Sequence, residues 1–164
     1  MVHKEVKIMS HSIICVLFVS ILGCAGTYQK ATPENKAPYQ DTREVEGSKD
    51  ELFLRTRRWM AETFRSSKAV IELEDKENGQ IIGNTSLSIK GGLGITIYFD
   101  MTIVIDIKDG KIRLTAKNFE ESVPGLPGFK TDNALQWQDL KGKIRVMFDD
   151  LLYFIQENRK NDVW

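Results

Sequence analysis

The sequence predicts an α+β fold, in which an antiparallel sheet of four or five strands carries two helices packed on one face. Three observations support this prediction. A capping box opens an apolar stripe with helical spacing near residue 50, apolar and polar residues alternate over residues 95–108, and a second helical stripe follows residue 134. Two helices with one apolar stripe each can cover only one face of a sheet, so the other face should meet water.

The chain begins with a pattern typical of a signal peptide. Lys4 and Lys7 form a short basic region, and the ten residues 13–22 are almost all apolar. A membrane-spanning helix needs roughly 20 apolar residues, so this run fits a cleaved signal sequence better than a permanent anchor. It ends in Ile21-Leu22-Gly23-Cys24. This string resembles a lipobox, in which a small residue precedes the cysteine that accepts a diacylglyceryl group.

We therefore predict a lipoprotein signal peptide over residues 1–23, cleavage before Cys24, and lipid on the Cys24 sulfur. An ordinary signal peptide or an uncleaved anchor would leave Cys24 without a role. Residues 24–41 contain two prolines, small residues and charges but no apolar period, so they are predicted to form a flexible linker. A single α+β domain of residues 42–158 and a tail of residues 159–164 complete the chain.

The first helix is predicted to begin at the capping box Ser48-Lys49-Asp50-Glu51. It should continue to about residue 65, because apolar residues recur there at steps of three and four residues at Leu52, Trp59, Met60 and Phe64. We place Arg55 and Arg58 on the opposite, solvated face of this helix.

A hairpin is predicted around Glu77-Asn78-Gly79. Read as a three-residue loop, it pairs Leu73 with Gly83 and keeps the apolar residues of both strands on one face. The loop then needs a bulge with Gly79 in the left-handed conformation.

The clearest strand spans residues 95–108, where every odd position is apolar: Ile95, Ile97, Phe99, Met101, Ile103, Ile105 and Ile107. Such alternation predicts a half-buried antiparallel strand. Asp109-Gly110 is a type I′ hairpin signal. A two-residue turn there pairs Ile107 with Ile112 and places Asp106 opposite Arg113 on the polar face.

The closing helix is predicted over residues 134–158, with caps offered by Thr131-Asp132-Asn133. Its apolar stripe consists of Trp137, Leu140, Ile144, Met147, Leu151 and Phe154. Gly142 is the weak point, since glycine inside a helix costs about 1 kcal/mol relative to alanine. A kink or a late start at Gly142 therefore remains an alternative to a continuous helix.

Composition excludes several kinds of chemistry from the predicted mature chain. The only cysteines are Cys15 and Cys24 and the only histidines are His3 and His11, so cleavage leaves one lipidated cysteine and no imidazole. No disulfide framework, Cys/His zinc site, cysteine nucleophile or Ser-His-Asp triad can be built. Removing the signal peptide leaves 21 basic and 22 acidic residues. This balance gives no electrostatic drive toward nucleic acid, and we expect neither a nucleic-acid partner nor a cofactor.

Several strings together resemble a bacterial family of unknown function that is described as having a TATA-binding-protein-like fold. They are Gly-Ser-Lys-Asp-Glu-Leu at 47–52, Arg58-Trp59, Ser-Ser-Lys-Ala-Val-Ile at 66–71 and Asp-Gly-Lys-Ile-Arg at 109–113. The resemblance covers residues 42–158. It implies the order strand, helix, four strands, helix, with a first strand near residues 42–46. It brings no catalytic residues, and the fold name describes shape rather than DNA binding.

Two surfaces are candidates for partner contact. One is the polar face of the sheet, which carries Tyr98, Thr102, Asp106 and Arg113. The other is the stiff, apolar loop of residues 122–129, whose Leu126 and Phe129 either close the end of the core or meet a partner.

The favoured hypothesis is a non-catalytic binding or structural module that lipid on Cys24 anchors to a bacterial membrane. We expect it to face the periplasm, on the outer membrane in preference to the inner one, and to bind an envelope protein or ligand. The alternative is an envelope hydrolase that works without His or Cys chemistry. Two carboxylates within about 6 Å in a pocket, or a lysine within hydrogen-bond reach of a serine, would support that alternative.

Overall fold

The computed structural model describes residues 28–64 and 70–161. The predicted signal peptide and the predicted lipidation site, Cys24, lie outside these residues. Among the described residues, none of the helices has the length and apolar character needed to cross a membrane.

Five antiparallel strands form one sheet in the order β1-β5-β4-β3-β2. The strands are β1 (Tyr39–Glu44), β2 (Val70–Asp75), β3 (Gln80–Lys90), β4 (Thr96–Lys108) and β5 (Lys111–Ser122). The described helices are α1 (Pro33–Lys36), α2 (Lys49–Thr63) and α3 (Ala134–Asn161). The α+β prediction is confirmed, and the strand that the resemblance implied is β1.

Helices α2 and α3 pack on the face of the sheet that carries the odd-numbered residues of β4. Ile97, Phe99, Ile103, Ile105 and Ile107 are all buried there. The strict alternation along β4 thus fixes which face holds the core.

Helix α2 begins as predicted at the Ser48 capping box. The Glu51 amide donates to Ser48 Oγ at 3.4 Å, and the Ser48 amide donates to Glu51 Oε2 at 2.9 Å. The prediction for Arg55 is wrong, because its side chain is buried on the packed side of the helix. Arg55 lies three residues after the fully buried Leu52, within the same stripe, and a long aliphatic stem can be covered by neighbours.

Helix α3 begins at Ala134 as predicted and runs without interruption through Gly142 to Asn161. Its buried stripe includes two residues that the prediction did not name, Phe148 and Ile155. The indole nitrogen of Trp59 donates to Asp150 Oδ2 at 2.8 Å and so joins α2 to α3.

The β4–β5 hairpin has the predicted register, with Ile107 opposite Ile112 and Asp106 opposite Arg113. The predicted turn type is wrong. A type I′ turn requires positive φ at both central residues, but only Gly110 has it, at +68°. Asp109 instead uses its carboxylate to accept a hydrogen bond from the Lys49 amide at 2.7 Å, which caps the first turn of α2.

The β2–β3 hairpin differs from the prediction by a shift in register. Leu73 pairs with Ile82 rather than Gly83, and a bulge at Glu72 follows. The loop has four residues, 76–79, because Asp75 accepts hydrogen bonds from the Asn78 amide and side chain. Leu73 therefore lies exposed on the face away from the helices. Gly79 is left-handed as predicted, with φ of +68°.

Residues 28–38 are not a free linker, in contrast to the prediction for residues 24–41. The Ala31 amide donates to the Asp132 carbonyl at 2.9 Å, and the Ala134 amide donates to the Gln29 carbonyl at 2.8 Å. These bonds satisfy backbone groups that a linker would leave to water. The sheet itself begins at Tyr39, three residues before the predicted domain boundary at Thr42.

Candidate functional site: the open face of the sheet

The face of the sheet opposite α2 and α3 carries the even-numbered residues of β4 and their cross-strand partners, and we call it the open face. Of the predicted surface residues, the register places Tyr98, Thr102, Asp106 and Arg113 on it. Tyr98 and Thr102 are half-buried and Arg113 is exposed. The strand alternation therefore gathers these four side chains on one surface.

Asp106 is the centre of a hydrogen-bond network across three strands. Its Oδ1 accepts from Gln80 Nε2 at 2.7 Å, and its Oδ2 accepts from Arg113 Nε at 3.0 Å and Nη2 at 2.8 Å. Both carboxylate oxygens are thus already occupied. The end of the open face near the β4–β5 turn is therefore a pre-formed network, in which Asp106 already accepts three hydrogen bonds.

A band of aliphatic residues crosses the middle of the open face. Val104 is only 7% exposed although it points away from the helices, and its partner on β3 is the half-buried Ile82. Leu73 on β2 continues the band at the edge. The sequence analysis did not predict this band. The alternation over residues 95–108 predicted a polar face at the even position of Val104, and the predicted Leu73–Gly83 pairing placed Leu73 on the other face.

Beside this band lies a depression of about 610 Å³ lined by Asn84, Thr85, Asp100, Met101, Thr102, Asn118 and Glu120. A second, smaller depression of about 310 Å³ is lined by Ser86, Tyr98, Asp100, Ser122, Val123 and Pro124. Asp100 belongs to both, so we describe the two together as the Asp100 groove. Thr102 lines the larger depression and Tyr98 the smaller one, whereas Asp106 and Arg113 line neither.

A β-bulge in β5 shapes the groove. Asn118 has a φ of +57°, and the pairing shifts there, from Thr102 opposite Lys117 to Asp100 opposite Glu120. Its side-chain amide donates to Thr102 Oγ1 at 3.4 Å. Asparagine tolerates the left-handed conformation better than most residues, so Asn118 was the available sequence signal for this bulge.

Asp100 and Glu120 face each other directly across β4 and β5. Like charges in this position repel, and within residues 28–64 and 70–161 neither has a Lys or Arg nitrogen within 4 Å. Because both line the Asp100 groove, they are the carboxylate pair that the hydrolase alternative would have to use on this face. Both residues are exposed, however, and the groove is too open to exclude water from a reaction.

The loop of residues 123–129 consists of two successive turns. The Leu126 amide donates to the Val123 carbonyl at 3.0 Å, and the Phe129 amide donates to the Leu126 carbonyl at 3.2 Å. Gly125 and Gly128, each preceded by proline, have φ of +80° and +76°, as type II turns require. Phe129 packs against the core, whereas Leu126 is 47% exposed. Phe129 therefore closes the end of the core, and contact with a partner stays a prediction for the exposed Leu126.

Within the described part of the chain, no cluster of three or more His, Cys, Asp or Glu side chains could hold a metal ion. The open face therefore offers a partner its hydrogen-bonding side chains and its aliphatic band.

Comparison with known proteins shows which structures have a similar fold and which family model matches the sequence. No curated protein matches the sequence. Two crystal structures have similar folds. One is a TBP-like protein from Parabacteroides distasonis ATCC 8503, which is 14% identical, has a TM-score of 0.59, and matches over 77% of this chain and 97% of that chain. The other is a DUF4468 family protein from Bacteroides ovatus ATCC 8483, which is 15% identical, has a TM-score of 0.52, and matches over 80% of this chain and 90% of that chain.

A family model described as a domain of unknown function (DUF4468) with TBP-like fold matches residues 39–122, which span β1 to β5 and α2. This match covers just over half of the chain and contains the whole sheet. The chain therefore belongs to the DUF4468 family of domains with a TBP-like fold.

Proposed function

We propose that this protein is a lipoprotein of the bacterial cell envelope, anchored through lipid on Cys24, whose domain is a non-catalytic binding module. The anchoring part rests on the apolar run of residues 13–22 and the Cys24 that follows it. The binding part rests on the open face, which α2 and α3 leave uncovered and which contains the Asp100 groove. The module faces the periplasm, on the outer membrane in preference to the inner one.

The Asp100 groove suggests the chemistry of the partner. Its lining combines two carboxylates, Asp100 and Glu120, which form no ion pair with the described residues, with the amides of Asn84 and Asn118 and the hydroxyl of Thr102. A partner that presents cationic or hydroxyl groups would relieve the repulsion between the carboxylates and donate to the amide oxygens of Asn84 and Asn118, whose nitrogens already bond Glu72 and Thr102. An envelope protein with an exposed basic segment, or a hydroxyl-rich envelope ligand, fits this description.

Cys24→Ala is expected to abolish lipid attachment, because the predicted mature chain has no other cysteine to accept the lipid. Metabolic labelling with radioactive palmitate, followed by capture of the protein, measures this directly. The parent should carry label and the variant should carry none. Label retained on Cys24→Ala would rule out the lipoprotein assignment.

Thr102→Arg is expected to remove partner capture without unfolding the domain, because a long side chain at Thr102 fills the Asp100 groove and adds charge there. Val146→Arg is the matched control, since Val146 is exposed on α3, which packs against the other face of the sheet. The tethered proteins are captured from membranes and the copurifying proteins and glycans compared, with thermal melting as a check of folding. If Thr102→Arg retains every partner of the parent, the open face is not the binding surface.

A further inference from the structure

The N-terminal segment of the domain is held against the start of α3. Tyr28 Oη donates to the Asp132 carbonyl at 3.0 Å, and Lys30 forms a β-bridge with Asn133. The Ala134 amide donates to the Gln29 carbonyl at 2.8 Å. The chain is therefore fixed to the folded domain from Tyr28 onward.

Only three residues lie between Cys24 and Tyr28, so four Cα–Cα steps join them. Whatever conformation these residues adopt, the Cα atoms of Cys24 and Tyr28 are at most roughly 14 Å apart. Lipid on Cys24 places that residue at the membrane surface. Tyr28, which is bonded to the segment that starts α3, must then stay within roughly 14 Å of the lipidated residue, so the domain is not free to swing on a long tether.

The end of the domain that carries Tyr28 has the character of a membrane-facing surface. Tyr28 is 66% exposed and Leu135 is 54% exposed, next to the backbone bonds that join Gln29 and Ala31 to the start of α3. The loop with Leu126 connects the end of β5 to the start of α3 and so lies at the same end. Tyrosine and leucine side chains beside an exposed lysine, Lys30, are typical of surfaces that contact a bilayer.

Charge at this end also suits a lipid surface. The nearby carboxylate of Asp132 is neutralised by Lys30 at 3.6 Å and Lys36 at 3.9 Å. Lys130 is exposed in the same connection. Anionic headgroups therefore meet lysines rather than an unpaired acid.

We infer that the end of the domain formed by Tyr28, Lys30, Leu126 and Leu135, which we call the tether end, rests on the lipid bilayer. This inference depends on the proposed lipidation of Cys24. Contact of the tether end with the bilayer determines the orientation of the open face. The Asp100 groove then lies in the half of the sheet near the membrane. The Asp106 network lies six residues farther along β4, which is about 20 Å. A partner of the groove must then reach it close to the membrane surface.

A fluorescent label at two positions of α3 tests this orientation. The mature chain has no cysteine except Cys24, whose lipidated sulfur is a thioether and does not react with thiol reagents. Leu135→Cys puts a single reactive thiol at the tether end. Tyr153→Cys is the matched control, because Tyr153 is 65% exposed on the same helix and lies about 27 Å farther along its axis.

Each lipidated variant is labelled with bimane and incorporated into the outer leaflet of phosphatidylethanolamine–phosphatidylglycerol vesicles. Quenching is measured with nitroxide-bearing lipids and, separately, with iodide in the water. We expect the nitroxide lipids to quench the label at position 135 several-fold more strongly than the label at 153, and iodide to show the reverse order. Mass spectrometry of each protein verifies the lipid on Cys24 beforehand.

The outcomes separate the two proposals. If Cys24 carries no lipid, both the lipoprotein assignment and the orientation fail. If Cys24 is lipidated but both labels respond equally to the nitroxide lipids, the domain swings freely and only the orientation is wrong. If the label at 135 is shielded from both quenchers, a second copy of the chain covers the tether end, which also overturns the contact with lipid.

Discussion

Ile105→Asp is expected to prevent the domain from folding. Ile105 is 0% exposed and lies between Ile81 on β3 and Leu114 on β5, all beneath the helices. The substitution loses about 2 kcal/mol of apolar burial and places an unpaired charge in the core, which costs several kcal/mol more. Because small domains are stable by only about 5 to 15 kcal/mol, these two losses together consume most or all of the stability.

Asp106→Lys is the control for this effect, one residue along the strand and on the other face. It removes the hydrogen bonds to Gln80 and Arg113, but the replaced group lies at a surface that water can reach. We expect a loss of about 1 to 2 kcal/mol, and urea titrations of both variants measure the difference. If Asp106→Lys is the more damaging of the two, the open face is covered and cannot serve as a binding surface.

Gly79→Ala is expected to lower the free energy of unfolding by about 3 to 5 kcal/mol. Two separate features of Gly79 cause this. Its φ of +68° is strained for any residue with a side chain, and an added Cβ would lie 2.3 Å from the carbonyl oxygen of Ile107. That contact would push β4 away and weaken the bond from the Ile107 amide to the Gly79 carbonyl, now 2.7 Å.

Gly110→Ala isolates the second feature, because Gly110 has the same φ of +68° but nothing within 4 Å of an added Cβ. Its expected cost is the conformational one alone, about 1 to 2 kcal/mol. The free energies of unfolding of the two variants, measured by thermal and chemical denaturation, should therefore differ by the cost of the contact between the added Cβ at position 79 and the Ile107 carbonyl oxygen. If Gly79→Ala and Gly110→Ala lower the free energy of unfolding equally, β4 can shift at Ile107 to accommodate the added Cβ at no cost in stability.

Local sequence signals predicted the elements whose geometry depends on neighbours in the chain. The capping box at Ser48 started α2, the alternation along β4 gave its buried face, and Asp109-Gly110 gave the register of the β4–β5 hairpin. In each case the residues that determine the structure lie within a few positions of one another.

The errors had two sources, one local and one distant. Within the β2–β3 loop, the Asp75–Asn78 bonds lengthened the loop by one residue, which moved Leu73 to the open face. The segment around Gln29 has no apolar period, yet it is ordered by hydrogen bonds to residues about 100 positions later. No pattern local to that segment could have revealed those partners.

The candidate site was predictable only in part for the same reason. Alternation placed Tyr98, Thr102, Asp106 and Arg113 on one face, but it could not show that a bulge would separate them into a groove and a network. The repulsive pair of Asp100 and Glu120 exists only because Asn118 shifts the register of β5. One left-handed residue thus determines which carboxylates meet.

The place of β1 in the sheet also determines the order in which the sheet can close. Strands β2 to β5 follow one another as hairpins, but β1 ends at Glu44 and its partner in the described sheet, β5, begins at Lys111. Their pairing therefore closes a loop of 66 residues, whereas each hairpin closes a much shorter one. Because loop closure costs entropy before the new contacts form, we expect β1 to join the sheet after the hairpins.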